Sequence, residues 1–255
     1  MKVGIVGCGA IGSEVARAAS HLDGVSEVLL FDIDPDATHQ LKHLPRVKVA
    51  GTAAKLVDGS DLVIECANKG VVQTVIKSAL AKGKKTMILT VGALADDKLR
   101  ETLTALARAK GGKMYVPSGA VMGVDGVKAA AAADLKSVTL VTTKPPAGLD
   151  KDTDRWTLLF SGPARDAVKR FPKNVNVAAT LSLAGLGFDQ THVQVAIDPL
   201  AQRNSHKVII EGNFGRARIE VENLPSPTNP ATSYLASLSA IALLRRIVSP
   251  IEIGA

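Results

Sequence analysis

The sequence predicts an α/β protein of two domains, the first built on a parallel sheet and the second an α+β domain with a mixed or antiparallel sheet. The chain has 255 residues, of which 46% are apolar, so two domains with sizeable cores are possible. Short apolar runs alternate with helical patterns as far as about residue 117. Beyond about residue 135, several strand patterns follow one another without helices between them.

The chain begins with a short apolar run, residues 2–6, which is typical of a buried parallel strand. A glycine-rich segment follows and opens a helical pattern that continues to about residue 21. This segment consists of Gly7, Cys8, Gly9, Ala10, Ile11 and Gly12. A second strand, residues 25–31, ends at Asp32, about 20 residues after the loop. A G-x-G-x-x-G segment between a strand and a helix, with an acid at this spacing, predicts a dinucleotide-binding loop.

The residues of this loop have separate roles in binding a dinucleotide. Gly7 permits a tight turn, Gly9 lets a pyrophosphate approach the backbone, and Gly12 lets the helix pack closely on the strand. The first helical N–H groups, here those of Ala10 and Ile11, face the phosphates at the positive end of the helix dipole. We therefore interpret the first domain as a Rossmann dinucleotide-binding domain.

Asp32 favours NAD over NADP as the cofactor. Its carboxylate can accept hydrogen bonds from the adenosine ribose hydroxyls. A 2′-phosphate would meet a negative charge there, and the next residues, 33–36, add acid and contain no Arg. NADP stays possible as a second cofactor. The alternative interpretation of Asp32 is a turn or helix-capping residue.

Two later strands of the first domain, residues 62–66 and 86–90, end in small residues. Ligands of parallel sheets bind at the carboxyl ends of strands, so we expect Ala67 and Asn68 to contact the cofactor. Asn68 has an equally plausible role as the N-cap of a helix at about 70–82.

The first domain is predicted to span residues 1–117 and the second residues 118–231. The predicted elements that remain are a helix at 95–110, a strand at 113–116, strands at 138–143 and 155–160, helices at 163–171 and 177–185, and strands at 193–197, 207–210 and 217–221. The last helix, residues 233–248, is amphipathic, and we expect residues 232–255 to return to the first domain.

Five further segments carry a family resemblance. They are residues 117–120, 143–146, 171–180, 203–206 and 229–234. Together with the glycine loop they occur in order along the chain, which resembles the L-aspartate dehydrogenases. The resemblance implies oxidation of L-aspartate with NAD(P) to iminoaspartate, which hydrolyses to oxaloacetate and ammonia or feeds NAD biosynthesis. We also expect a homodimer.

The resemblance assigns three residues. The catalytic histidine of the family matches His206, and its cofactor contacts match Ala120 and Asn176. The sequence departs from the family pattern at Ser205, where an aliphatic residue is usual, and at Met122, where glycine is usual. Both positions bear on substrate preference.

The chemistry of amine oxidation supports a histidine independently. A base must remove an ammonium proton before hydride leaves, and imidazole titrates in the useful range. His192, on a predicted strand, is a competing candidate, and an ordinary surface or core position is the alternative for His206. Asn176 has an alternative role in helix capping, with Asn174 as its rival.

The two carboxylates of the substrate require cationic or N–H donors. The candidates are Ser118, Lys173, Arg203 and Thr228. For any one of them, a solvated surface position is the favoured alternative.

Composition argues against other classes of protein. The net charge is +7, but the basic residues are scattered and aromatics make up only 3%, so we expect no nucleic-acid partner. We find no secretory signal and no apolar run of about 20 residues, so we expect a cytoplasmic protein that does not enter a membrane. Cys8 and Cys66 lack metal-ligand spacing, so we expect no metal and interpret both as small buried residues.

Two alternatives belong to other classes. Another two-domain NAD(P) enzyme, such as dihydrodipicolinate reductase, would carry a His-His pair, which this sequence lacks. A non-catalytic NAD-binding regulator would add a segment for DNA or a protein partner, and the sequence shows none.

Overall fold

The structure is a computed structural model that describes residues 1–146, 153–171, 176–227 and 229–254. Contacts between residues divide the chain into two compact units. Met1–Pro117 and Ser237–Ile253 form the first unit, and Ser118–Ala236 makes up nearly all of the second.

The first unit contains a six-stranded sheet of order β3-β2-β1-β4-β5-β6, in which every pairing is parallel. Its strands are β1 (Lys2–Val6), β2 (Glu27–Phe31), β3 (Val47–Val49), β4 (Leu62–Glu65), β5 (Lys85–Ile88) and β6 (Lys113–Tyr115). In this doubly wound order the strand sequence reverses between β1 and β4, where dinucleotides bind. The predicted Rossmann domain is confirmed.

Helices connect these strands. They are α1 (Ala10–His21), α2 (Pro35–His39), α3 (Ala53–Gly59), α4 (Lys69–Val71), α5 (Lys77–Ala81) and α6 (Asp97–Lys110). A π-helical turn, Val72–Ile76, joins α4 to α5, and a 3₁₀ turn, Val91–Ala95, precedes α6.

The second unit contains a five-stranded sheet of order β11-β10-β7-β9-β8. Its strands are β7 (Leu135–Lys144), β8 (Thr157–Pro163), β9 (Thr191–Ile197), β10 (Asn204–Gly212) and β11 (Gly215–Asn223). The β7–β9 pair is parallel and the other pairs are antiparallel, so the predicted mixed sheet is confirmed. Two short strands, β12 (Pro225–Ser226) and β13 (Asn229–Ser233), form a separate antiparallel pair.

One face of the mixed sheet forms the core of the second unit. Residues from α7 (Val124–Ala130), α8 (Ala164–Arg170) and α9 (Asn176–Ala184) pack there against alternate residues of the strands. Along β7 the buried residues of this face are Val138, Leu140, Thr142 and Lys144. That two-residue period is the geometry of a strand with one covered face.

The last helix, α10 (Tyr234–Val248), contributes to the core of the first unit. Ala240, Leu243 and Leu244 pack in one cluster with residues of α1, β1, β2 and β4. Among the described residues, no helix is long and apolar enough to cross a membrane.

The sequence patterns did not locate α2, β3 and α3. β3 is an edge strand of three residues without a fully buried side chain, so it lacks the apolar period that marks a strand. The strands β10 and β11 are longer than predicted, because only Asn213 and Phe214 separate them and pairing continues to the hairpin.

Candidate active site

The glycine loop makes a tight turn between β1 and α1. Gly7 has a φ of 92°, in the left-handed region, and its N–H donates to the Phe31 carbonyl at 2.9 Å. A Cβ on Gly12 would lie 1.9 Å from the carbonyl oxygen of Gly7. The close packing of helix on loop therefore requires glycine at position 12.

Gly9 faces an open space at the N-terminus of α1. A Cβ built on this residue meets no atom of the described chain within 4 Å. Gly9 is the N-cap of a 12-residue helix, and no side chain caps that helix. The first N–H groups, which include those of Ala10 and Ile11, have no partner within the helix and attract an anion. The open space and the helix end fit the pyrophosphate of a dinucleotide.

Asp32 holds the end of β2 against the glycine loop. Its Oδ2 accepts the Cys8 N–H at 2.6 Å, and its Oδ1 accepts the Asp34 N–H at 3.0 Å. Each carboxylate oxygen has a second lone pair, which can accept a ribose hydroxyl. Asp32 thus makes the local turn that was its alternative role, and it does so beside the loop.

A buried carboxyl, Glu65, joins the ends of β4 and β5. Its Oε1 accepts the Ala67 N–H at 2.8 Å and the Thr90 hydroxyl at 2.7 Å, and its Oε2 accepts the Thr90 N–H at 2.9 Å. Burial raises the pKa of Glu65. The sequence analysis did not identify this residue, although an acid inside an apolar strand run was a usable signal.

Ala67 and Asn68 are exposed at the carboxyl end of β4. Asn68 Oδ1 accepts the Val71 N–H at 3.2 Å and caps α4. The structure therefore shows the capping role of Asn68, while the cofactor contacts of both residues stay predictions.

The two cysteines are free thiols near the glycine loop. Cys8 is buried and Cys66 partly buried. Burial, with the Asp32 carboxylate second, raises the pKa of Cys8 to about 12, and burial raises the pKa of Cys66. Both thiols are thus protonated and unreactive at neutral pH. Within the described ranges, no group of three or more His, Cys, Asp or Glu residues could hold a metal.

His206 lies on the covered face of the mixed sheet. It pairs with Thr142 of β7, and its Nδ1 is 3.0 Å from the Thr142 hydroxyl. Burial, with the positive charge of Lys144 second, lowers the pKa of His206 to about 4, so the imidazole is neutral at pH 7. When Nδ1–H donates to the hydroxyl, Nε2 carries the lone pair that accepts a proton.

His192 occupies the opposite face of the same sheet. Its neighbours in β9, Thr191 and Val193, are buried, so the two-residue period turns His192 outward. Its Nε2 is 3.0 Å from the Ser161 hydroxyl. The two candidate histidines therefore differ in burial, and His206 is the one inside the core.

The structure connects Ala120 to the same sheet. The Ala120 carbonyl accepts a hydrogen bond from Asn223 Nδ2 at 3.0 Å, a buried contact at the end of β11. Ser118, two residues before Ala120, is partly buried. Asn176 is the first residue of α9, a helix on the covered face.

The structure describes three of the other positions that the sequence analysis named. Arg203 is exposed immediately before β10, and Met122 is exposed after Val121. Ser205 is partly buried and pairs with Thr143. Lys173, Asn174 and Thr228 lie outside the described residues.

The sequence of this chain is similar to those of known protein families and of individual enzymes. Residues 125–247 match the family described as the C-terminal domain of aspartate dehydrogenase, and residues 7–117 match the NAD-binding domain of homoserine dehydrogenase. An L-aspartate dehydrogenase of Methanosarcina acetivorans is 47% identical, and the match covers 100% of this chain and 99% of that protein. The chain belongs to the L-aspartate dehydrogenase family.

A second relative and a solved structure support the same family assignment. The protein of this name from Methanosarcina barkeri is 45% identical, with 100% of this chain and 99% of the relative covered. The crystal structure of aspartate dehydrogenase from Thermotoga maritima matches with a TM-score of 0.82 at 28% identity, over 100% of this chain and 99% of that one. The predicted resemblance is confirmed, and the chain is an oxidoreductase that uses a pyridine nucleotide cofactor and a small-molecule substrate.

Proposed function

We propose that this protein oxidises L-aspartate, with NAD as the preferred cofactor, to iminoaspartate, which hydrolyses to oxaloacetate and ammonia. One observation carries the proposal. His206 is a buried, neutral imidazole next to a buried lysine, Lys144, on the covered face of the second unit. A neutral base beside a cation suits a substrate that loses an ammonium proton and carries carboxylates.

The two units have different roles in this proposal. Residues 1–117, with residues 232–255, bind the dinucleotide, and residues 118–231 carry the substrate chemistry. When bound there, NAD would supply the hydride acceptor for oxidation at the α-carbon of the substrate. The first unit holds the cofactor through the N–H groups of Ala10 and Ile11 at its phosphates and through Asp32 at its ribose.

Four further residues are assigned to the cofactor, two from their place in the parallel sheet and two from the family resemblance. Ala67 and Asn68 lie at the carboxyl end of β4, where the sheet of a Rossmann domain meets its ligand. We assign Ala120 and Asn176 to the nicotinamide half. The bond from Asn223 to the Ala120 carbonyl supports this assignment, because it holds that backbone in one place.

His206 acts twice in this proposal. Its Nε2 removes a proton from the substrate ammonium, because hydride leaves only from the neutral amine. The same nitrogen then transfers protons when water attacks the imine. Thr142, bonded to Nδ1, holds the ring in one orientation throughout.

The preference for NAD rests on the charge of Asp32. Two backbone amides hold this carboxylate in place, so a 2′-phosphate would have to lie against a fixed negative charge. The predicted homodimer is an independent proposal, and sedimentation velocity measures it directly.

A substrate screen tests the function. L-Aspartate, L-glutamate, L-alanine and L-malate are each supplied with NAD⁺ or NADP⁺, and oxaloacetate with ammonium is supplied with the reduced cofactors. We expect absorbance changes of the nicotinamide with L-aspartate and with oxaloacetate plus ammonium, larger with NAD. Turnover of another substrate with none of L-aspartate would overturn the assignment.

A further inference from the structure

A row of polar side chains crosses the end of the mixed sheet. Asn223 of β11 pairs with Asn204 of β10. Ser205 pairs with Thr143, so Asn204 lies beside Lys144 of β7. We call Lys144, Asn204 and Asn223 the polar row.

The polar row lies on the same face as the catalytic candidate. Lys144 and Asn204 are each two residues from the paired residues Thr142 and His206 in their own strands. Side chains two residues apart in a strand share a face. The row is therefore the next layer of side chains beyond His206, toward the end of the sheet.

Lys144 places a cation in this layer. The residue is only 7% exposed, and its positive charge contributes to the lowered pKa of His206, which places the ammonium near the imidazole. Burying a cation is costly, and burial also lowers the pKa of Lys144 itself. A buried lysine beside a buried histidine is the kind of arrangement found at functional sites, where the cation meets an anionic ligand.

The two asparagines add hydrogen-bond acceptors. Asn223 Nδ2 donates to the Ala120 carbonyl, which fixes the orientation of this amide and makes the other atom, Oδ1, an acceptor. Oδ1 of Asn223 and Oδ1 of Asn204 are both buried, and neither has a hydrogen-bond partner among the described residues. Buried acceptors without donors are rare in folded proteins, and a ligand that carries N–H groups would supply a donor to each.

We propose that the polar row is the amino-acid subsite of this enzyme: the Lys144 ammonium binds a carboxylate of the substrate, and Oδ1 of Asn204 and of Asn223 accept N–H bonds from its amino group. This inference rests on the proposed function and adds the residues that recognise the substrate. One cation beside two acceptors complements an amino acid, which carries an anion and several N–H donors. A 2-hydroxy acid offers a single O–H donor and leaves one acceptor unsatisfied.

The subsite also explains the position of the base. An amino group held by the asparagines lies one layer from His206, which removes its proton. The Asn223 amide serves two ligands in this arrangement, since Nδ2 holds the Ala120 backbone and Oδ1 faces the substrate.

Two ligands that differ by the amino group test the subsite. Succinate has two carboxylates and no amine, and L-aspartate has both. Their binding to the full-length enzyme with saturating NADH is measured by calorimetry for wild type, Lys144→Met, Asn204→Leu and the control Lys136→Met. Lys136 is an exposed lysine of the same strand, so this control removes the same charge outside the polar row.

The proposal gives each variant a distinct pattern. Lys144→Met should weaken both ligands by about 100-fold, the loss of a charge-assisted bond in a buried site. Asn204→Leu should weaken L-aspartate by about 10-fold and leave succinate unchanged, because only L-aspartate carries the N–H donors. Wild-type affinity in Lys144→Met, or equal loss of both ligands in Asn204→Leu, overturns the subsite.

A second pair of variants keeps the test decisive if Lys144→Met does not fold. Thermal unfolding shows whether Lys144→Met is native, which is expected since apolar replacements of buried charges are often tolerated. If it is not native, Lys144→Gln and Lys144→Arg are compared. Arg should retain most succinate binding because it keeps the charge, and an equal loss in both variants contradicts the proposal.

The same experiment separates the subsite from the proposed function. If wild type oxidises L-aspartate and Lys144→Met keeps its KM, the function stands and the subsite fails. If wild type binds succinate through Lys144 but does not oxidise L-aspartate, the subsite stands and the proposed reaction fails.

Discussion

The glycine loop of the first unit and the covered sheet face of the second differ in the groups that can interact with a charged ligand. The loop is one continuous segment, residues 7–12, and it presents backbone N–H groups and empty space. The sheet face is assembled from side chains of three strands, and it buries a lysine and a histidine. A backbone site can therefore be recognised from neighbouring residues, whereas a side-chain site exists only after the strands have paired.

The difference extends to how each region depends on pH. In our proposal the loop binds the anionic pyrophosphate through N–H groups and a helix dipole, which do not titrate. On the sheet face, burial lowers the pKa values of His206 and Lys144, so protonation there is set by packing. Five predictions test this contrast, from the largest expected effect on activity to the smallest.

The largest effect is expected at His206. His206→Ala should lower kcat for L-aspartate by roughly 100-fold or more, because the base that removes the ammonium proton is lost. NAD affinity, measured by calorimetry, should change little, since our proposal places most of the dinucleotide contacts in the first unit. His192→Ala, on the opposite face, is the control and should keep its kcat. If His192→Ala lost turnover and His206→Ala kept it, the catalytic assignment would be wrong.

The glycine loop should respond in binding and leave the fold intact. Gly9→Val places a side chain where the protein itself leaves open space, so the variant should fold while NAD affinity falls by roughly 100-fold. Gly51→Val is the control, since a Cβ there also meets no described atom within 4 Å. Fluorescence titration with NADH measures the affinity, and wild-type binding by Gly9→Val would remove the loop from the site.

Gly12→Ala sharpens the comparison within the loop. Its Cβ would clash with the Gly7 carbonyl, so this variant should lose stability by about 3 kcal/mol, at the upper end for overpacking. Urea unfolding separates the two glycines, because only position 12 should lower the midpoint.

The buried histidine should make stability fall in mild acid. The pKa of His206 is about 4 in the folded protein against about 6.5 when unfolded, so the unfolded chain binds the extra proton between these values. The free energy of unfolding should therefore begin to fall near pH 7 and be lower by about 2 kcal/mol at pH 5. Urea unfolding at several pH values measures this loss. His206→Gln should lack this contribution, and an identical pH slope in the variant would show that His206 is not the group involved.

The smallest effect is expected for cofactor choice. Asp32→Asn keeps an oxygen that can accept the Cys8 N–H and removes the charge that opposes a 2′-phosphate. The ratio of kcat/KM for NAD to that for NADP should fall by about 10-fold, near 1.4 kcal/mol. Asp34→Asn, an exposed acid two residues away, is the matched control. An unchanged ratio in Asp32→Asn would refute the role of Asp32.

Local patterns in the sequence were sufficient for the dinucleotide loop of the first unit and the elements that flank it. The apolar run of β1, the glycine loop, α1 and Asp32 follow one another, and each is recognisable from its neighbours. The mixed sheet was predictable from consecutive strands without helices. β3 was not, because an exposed edge strand carries no apolar period.

Much of the site in the second unit could not be predicted from the sequence. His206 was identified through a family resemblance, but neither its partner Thr142 nor the buried charge of Lys144 was assigned. Asn204 and Asn223 were also missed, although Asn204 is in phase with buried residues of β10 and Asn223 with partly buried residues of β11. The two-residue period of a strand indicates which face a side chain occupies, but it does not identify the neighbouring strand.

Strand register decided what lies beside His206. Thr142 is 64 residues away in the sequence, and Asn223 reaches a carbonyl 103 residues away. A shift of one residue in either pairing would turn every side chain of the row to the opposite face. The amino-acid sequence alone was enough to identify the backbone loop, because its glycines and the start of α1 lie in one continuous segment. The polar row could be identified only from the folded sheet, because the pKa values around it depend on burial and on neighbours that long-range strand pairing brings together.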